Sequence, residues 1–469
     1  MTQKTNPLGT GKIGSLLFQF ALPSIVAMLV SSLYNIVDQI FIGQGMGYLG
    51  NGATTVAFPF TTIGLALALL FGVGSAACYS LYLGQGRVED AARTAGTGLT
   101  IMSVVGVIYM VLGELLINQL LPAFGATPEN YAYSLEYSRV ILIGMPFLIA
   151  SNGISQLCRA DGSPKYSMMC MVVGAVINCI LDPLFIFGFG WGMFGAAFAT
   201  ILGQIITFIV ALFYLPRFKQ IHLSKADFRI HRKYLGRICQ LGASASLNQA
   251  AILVVQIVLN NLLKHYGGLS VYGANIPIAA SGVAFKLNGI YISVAVGLAQ
   301  GAQPIIGFNY GAQQFERVKK CLLLAMGTIL VLGTTVELVF QFFPVQLIEL
   351  FGHGDALYLQ FGSKVLRIYM AMICIQGIQA LSSNFFAAIG QPAKGIFLSL
   401  SRSIVFYLPL AFIFPLFWGV EGILYSQPIA DFISVVVSIV MVVAAFRQMD
   451  RMAANPILSQ EIEKEAVTD

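Results

Sequence analysis

Apolar residues in this chain run on for lengths that no surface helix of a soluble protein needs, and the charges stand between the runs. Stretches without Asp, Glu, Lys or Arg cover 13–37, 39–86, 166–181, 183–216, 238–263, 287–315 and 368–393. Most hold one or more spans of the roughly 20 residues that cross about 30 Å of hydrocarbon. In lipid only helices and closed barrels satisfy every backbone hydrogen bond. A barrel strand would alternate polar and apolar positions over about ten residues, whereas these runs are continuous, so the spans are predicted as helices. The expected helices are 13–42, 53–83, 92–120, 137–157, 166–187 and 193–214, then 235–263, 276–308, 318–342, 362–389, 394–414 and 420–446. The predicted fold is an all-α integral membrane protein with 12 transmembrane helices.

Composition agrees. Of 469 residues, 57% are hydrophobic and 10% charged, against about 25% charged in a soluble domain, which excludes a water-soluble globule. The first apolar run, after Lys12, exceeds the about 7 to 15 residues of a signal-peptide core, so it is expected to stay as the first helix.

Lys and Arg fall unevenly on alternate connections. One set holds Lys4 and Lys12, Arg87 and Arg93, Arg159 and Lys165, the cluster Arg217, Lys219, Lys225, Arg229, Arg232, Lys233 and Arg237, then Arg317, Lys319, Lys320, Lys394, Arg447, Arg451 and Lys464. The other holds far fewer, among them Lys264, Lys364 and Arg367. The positive-inside rule then places both termini and the basic linker in the cytoplasm. Orientation and attraction to anionic lipid account for the net charge of +6 without a nucleic-acid partner. The expected division is 1–215 as a first lobe, 216–234 as linker, 235–446 as a second lobe and 447–469 as a cytoplasmic tail.

Several chemistries drop out. The seven cysteines lie in or beside helices, where they behave as small hydrophobes, and the four histidines have no partner at metal-ligand spacing. The Gly72-Val73-Gly74-Ser75 stretch lacks the Lys of a phosphate-binding loop, so ATP is not expected as energy source. Neither an enzyme nor a cofactor is expected.

The chain is written twice. Gly84-Gln85-Gly86-Arg87-Val88-Glu89 answers Gly311-Ala312-Gln313-Gln314-Phe315-Glu316; Gly162-Ser163-Pro164 answers Gly390-Gln391-Pro392; Trp191-Gly192 answers Trp418-Gly419, all at nearly one offset. Six spans per half give both halves the same polarity, a parallel repeat about an axis along the membrane normal. Two pseudo-symmetric six-helix lobes around a V-shaped cleft are predicted, able to rock for alternating access.

Polar residues inside the spans supply the candidate chemistry, because intramembrane acids are costly and mark ion paths or pairs. Asp38 shares a helix face with Tyr34; Asp182 follows Asn178 by one turn and precedes Pro183; Thr200 adds a hydroxyl from the sixth helix. Two acids, an amide and a hydroxyl are suited to share a proton or to hold Na⁺ through oxygen ligands. No other metal site is expected. In the second half Lys286, Arg402 and Asp431 are read as buried charges, with a structural ion pair favoured over a coupling site. Asn35, Asn152, Ser155, Gln249, Gln256, Asn288 and Tyr291 are candidates for a substrate cavity, the alternative being helix–helix glue.

In order and spacing, Pro23 with Val37-Asp38-Gln39-Ile40-Phe41-Ile42-Gly43, the Gly84-Gln85-Gly86 loop, Arg159-Ala160-Asp161-Gly162-Ser163-Pro164, Leu181-Asp182-Pro183, and Gly301-Ala302-Gln303-Pro304 through Asn309-Tyr310-Gly311 resemble the multidrug and toxic compound extrusion (MATE) family. The resemblance spans nearly the whole chain and is strongest to the MepA-like bacterial branch, where a basic residue matches Lys286 and an acid matches Asp182. It implies export of varied, often cationic compounds against H⁺ or Na⁺. Carried over residue by residue, it puts the cation site on Asp38, Asn178, Asp182 and Thr200, with Tyr34 nearby. Some members of that branch carry Glu at the position of Ser155 and Asn at that of Asp38. The expected function is a monomeric secondary antiporter for drug-like small molecules in the lipid bilayer. The alternatives are a lipid-linked oligosaccharide flippase, which would want a more cationic cavity, and a non-transporting receptor or scaffold, which would want a soluble signalling domain.

Overall fold

The computed structural model describes residues 7–124, 126, 128–273, 275–349 and 356–454. Lys4, His353, Lys464 and the tail from 455 onward lie outside the described residues. Eleven helices are long and apolar enough to cross a membrane: α1 Ile13–Gly47, α2 Gly52–Gly84, α3 Val88–Ala123, α4 Tyr131–Ala160, α5 Pro164–Gly188, α6 Gly192–Arg217, α7 Arg232–Gly268, α8 Ile276–Gly311, α9 Phe315–Phe342, α11 Pro392–Ile413 and α12 Pro415–Ala454. The twelfth, α10, is a broken span, Ala356–Tyr369 followed by Ile373–Ala388 at 50° to it. A single helix over 362–389 was the sequence expectation. The break has a local cause: Val365–Tyr369 is wound as a π-helix, whose extra residue per turn ends in the turn at Met370–Met372. No strand occurs among the described residues.

The internal repeat is a repeat of backbone geometry. The turn before α5 has Gly162 at φ +86°, with Ser163 N–H bonding to Cys158 O at 2.9 Å. The turn before α11 has Gly390 at φ +77°, with Gln391 N–H on Phe386 O, also at 2.9 Å. Both are left-handed helix caps that recapture an orphan carbonyl, and Pro164 and Pro392 then start the next helix where a missing N–H costs nothing. Six helices of each half pack on one another, and the two lobes meet where α1 and α2 face α7 and α8.

That meeting is closed at one end only. A Cβ built on Gly242 of α7 would lie 1.7 Å from Leu70 O of α2, and one on Gly84 of α2 would lie 2.1 Å from Phe308 O of α8. On the other side Gly301 and Gly297 of α8 rest on Ala21 and Ile25 of α1, with 2.5 and 2.6 Å from a built Cβ to the opposing Cα. Backbones meet here without side chains between them, the approach that small residues permit in membranes. Gln303 Nε2 of α8 donates to Val73 O of α2 at 3.3 Å across the same seam. Cys78, 1% exposed, is sealed in it beside Leu81 and Leu241. Toward the other end α7 stands away from the first lobe, with Ile252, Val254 and Ile257 exposed. The V therefore opens away from the end that carries the 217–232 connection.

That connection is strapped down. Asp161, between α4 and α5, is buried and accepts from Tyr79 Oη and Tyr214 Oη at 2.6 Å and from the backbone N–H groups of Lys219 and Gln220 at 2.7 and 3.1 Å. Thr97 and Thr100 of α3 donate to Arg229 O and Phe228 O at 3.1 and 2.8 Å.

Because the Gly242–Leu70 contact leaves no room for any side chain, Gly242→Val is expected to force the closed end apart. Maleimide labelling of Cys78 should then accelerate by about tenfold or more, the response to roughly 1.4 kcal/mol of opening, while buried Cys158, Cys170 and Cys321 stay protected.

Candidate functional site

The first lobe gathers the predicted acids at one point inside its helices. Asp182 of α5 has no exposed surface and Asp38 of α1 is 8% exposed. Their carboxyl groups lie within hydrogen-bonding reach of each other. Helical spacing places Asn178 one turn before Asp182, and its Nδ2 donates to Asp182 Oδ1 at 3.3 Å and to Thr200 Oγ1 of α6 at 3.3 Å. Thr200 Oγ1 in turn donates a hydrogen bond to Ala196 O at 3.2 Å. Immediately after Asp182, Pro183 and a π-helical turn over Leu184–Gly188 release α5 from regular bonding. Tyr34 lies in the electrostatic field of both acids.

Three oxygens of this cluster are buried without a protein donor: Asp38 Oδ1, Asp182 Oδ2 and Asn178 Oδ1. No Lys, Arg or His forms an ion pair with either acid among the described residues. An ionised carboxyl accepts only, so a hydrogen bond between two carboxyls needs a proton on one of them. A small cation with oxygen ligands meets the same requirement. Tyr137 of α4 belongs to this cluster, buried within the field of Asp38, Asp182 and Tyr34, and sequence reasoning missed it. Nothing in the sequence singles it out, since a Tyr near the start of a span reads equally well as an interface anchor.

A family model for MatE matches residues 23–184 and 245–413, one match in each half. The chain belongs to the MatE family. Among curated proteins it is 26% identical to the multidrug export protein MepA of Staphylococcus saprophyticus, over 91% of this chain and 92% of that protein. It is likewise 26% identical to MepA of Staphylococcus aureus, over 88% and 90%. Among solved structures it superposes on a multidrug resistance MATE transporter of the MOP superfamily in an outward-facing conformation, with a TM-score of 0.89, 24% identity, and 96% and 100% of the two chains covered. A MOP superfamily transporter from Pyrococcus furiosus, described by a binding pocket of reversed polarity, gives a TM-score of 0.89 at 24% identity, over 96% and 99%. This MatE chain is thus a multi-pass membrane protein of twelve spans in two lobes.

The second lobe of the MatE chain treats its acid differently. Asp431 of α12, 2% exposed, accepts from Arg402 Nη1 of α11 at 3.2 Å and from Gln427 Nε2 at 3.0 Å on each oxygen. The partner that sequence could not supply is Arg402, and the result is a buried ion pair. Lys286 does not join it. Read from the sequence as a buried charge, Lys286 is exposed in the structure, because it lies on the face of α8 opposite the one that carries Ala284, Tyr291 and Ala295 into the lobe core.

Two cavity candidates need the opposite correction. Ser155 is 1% exposed and shares a hydrogen bond of 2.6 Å with Ser167 Oγ, because that face of α4 packs on the start of α5. Tyr291 is 3% exposed, its hydroxyl wedged against Gly333 of α9 and Gly377 of α10. Of the others, Asn35 and Gln256 are exposed, and Asn152, Gln249 and Asn288 are half-buried. Asn35 and Asn152 donate to carbonyls one turn earlier, Ser31 O and Leu148 O.

Removing one member of a buried pair strands the other. Arg402→Leu alone is therefore expected to destabilise the detergent-purified protein by about 3 kcal/mol or more, and Arg402→Leu with Asp431→Leu to recover most of the loss. Apparent melting temperatures of the three proteins check this.

Proposed function

We propose that this chain is a secondary active multidrug efflux antiporter of the bacterial inner membrane, exporting drug-like small molecules in exchange for H⁺ or Na⁺. The observation that carries the reading is the Asp38–Asp182 pair: two carboxyls from different helices, buried together, with no ion-pair partner among the described residues. A structural role would have been served by a counter-ion, as Arg402 serves Asp431. A pair left without one requires a proton or metal ion from outside the chain. The close approach of the two carboxyls suits a proton-loaded state, and Na⁺ would draw on oxygens of the same Asp38, Asn178, Asp182 and Thr200.

The mechanism follows from where the pair sits. With the termini and the 216–234 linker cytoplasmic, the glycine seam is the inner gate and the V faces outward. Substrate leaves to the outside while Asp38 and Asp182 take up the ion. Loading removes the repulsion between α1 and α5, lets α1 repack against its lobe and narrows the substrate site. The lobes then rock, the seam opens and the ion is released inside. One pH unit supplies about 1.4 kcal/mol and each charge crossing 100 mV about 2.3 kcal/mol, enough for one or two ions to sustain a concentrative gradient. The cluster is complete within one chain, in keeping with a monomer, and the cycle uses no cofactor, enzyme chemistry or nucleic acid.

Everted vesicles test this with a fluorescent drug and an imposed ΔpH or ΔNa⁺. Asp38→Asn and Asp182→Asn are each expected to reduce gradient-driven transport to the background of vesicles lacking the protein, at unchanged amounts in the membrane. Wild-type transport by both variants refutes the assignment.

A further inference from the structure

The cleft carries one charge at depth that no described residue pairs with. Lys286 is the sole charged residue of α8, and it forms no ion pair among the described residues. It lies ten residues inside the outer start of the helix at Ile276, about 15 Å at 1.5 Å per residue, hence near mid-depth of a hydrocarbon layer about 30 Å thick.

Helix geometry says what Lys286 faces. Gly297 and Gly301, which rest on Ile25 and Ala21 of α1, lie eleven and fifteen residues further along α8. At 3.6 residues per turn that is about three and four turns, so Lys286 shares their face within a fraction of a turn. The opposite face, with Ala284, Tyr291 and Ala295, is the second lobe's core. Lys286 is therefore directed toward the first lobe, at a level where the lobes have parted, and it is exposed there. The two helices run antiparallel, Ala21 against Gly301 and Ile25 against Gly297, and that register brings Lys286 opposite residue 36. Asn35 and Gln39, exposed, flank this point on α1, whereas Asp38 is turned into its own lobe. Neither α2 nor the 238–263 stretch of α7 contains a charged residue. The open half of the cleft thus has neutral polar and apolar walls, one unpaired ammonium at depth, and Lys264, also basic and exposed, at the outer end of α7.

We propose that Lys286 anchors the substrate through an anionic group, so that the cleft prefers compounds carrying a carboxylate on an aromatic or amphipathic body over purely cationic ones. The inference rests on the export reading and narrows its substrate class. An exposed ammonium with no ion-pair partner among the described residues is free to take a ligand carboxylate in a charge-assisted hydrogen bond, while Ile36 and Ile290 meet the apolar part. A flexible point charge suits varied ligand shapes better than a planar guanidinium fork. Lys286 would be a binding residue, separate from the ion site across α1.

Dansyl-phenylalanine and its methyl ester, which differ in the charge of one group and by one methyl, test this as fluorescent ligands of the purified full-length protein. Wild type is expected to bind the acid about tenfold more tightly than the ester. Lys286→Met should weaken the acid alone and erase the ratio, and Lys286→Arg should keep a preference for the acid. Equal affinity of wild type for both probes, or equal loss of both in Lys286→Met, overturns the proposal. In proteoliposomes, a preserved preference with neither probe moved by any ion gradient leaves the anion site standing and removes the export reading instead.

Discussion

A charged side chain inside a bilayer must be answered by another charge, by water or by a ligand, and the way each one is answered organises this protein. Asp431 is answered within the chain by Arg402 and Gln427 and is thereby fixed in the core of its lobe. Asp38 and Asp182 have no basic partner among the described residues, only each other and the Asn178 amide, an arrangement that is strongly disfavoured with both ionised unless a cation lies between them. The two lobes share a backbone plan, yet one holds a finished ion pair and the other an unfinished one. Pseudo-symmetry of fold therefore does not extend to chemistry. In the proposed cycle, the unfinished site is the one whose state changes.

Change at that site can matter only if the lobes have two ways to meet. The closed end is built from backbone against backbone, at Gly242 with Leu70 and Gly84 with Phe308, where few side chains interlock. Such a seam gains packing attraction while closed and asks little side-chain rearrangement of the parting helices. The π-helical turn after Asp182 and the 50° break in α10 occur within the lobes, where regular hydrogen bonding is already interrupted and bending is least costly. The linker side is tied instead by side-chain hydrogen bonds, where Asp161 collects four donors from α2, α6 and the connection itself.

Much of this was legible in the sequence because lipid is a demanding solvent. The twelve spans, the repeated turns at Gly162 and Gly390 and the cluster Asp38, Asn178, Asp182 and Thr200 could all be read from run length and from the rarity of acids. Rotation about the helix axis could not. In a soluble helix the polar stripe marks the outward face, but here lipid-facing and core-facing sides are equally apolar, so a polar residue does not announce its direction. That is why Ser155 and Tyr291 were read toward a cavity and Lys286 into a core, each the reverse of its position. It is also why Asp431 could not be matched to Arg402, 29 residues earlier and on another helix. Tyr137 escaped for a related reason: its partners come from α1 and α5, and only tertiary packing brings them to α4.

The register of α1 against α8 adds the last step. Asp38 and the point opposite Lys286 fall within two residues of one another along α1, on different sides of that helix. One side looks into the first lobe at the acid pair to which we assign a cation, and the other looks into the cleft toward Lys286, to which we assign an anion. An ion and a substrate bound at these two places would not touch, yet both would act on the same turns of α1. Two ligands that favour different positions of one shared element weaken each other's binding reciprocally, and exchange requires nothing more than that antagonism joined to a seam able to open. Moving the acid pair to a helix remote from the cleft would leave the ion site intact and remove the coupling. The position of Asp38 on α1 thus matters as much as its charge.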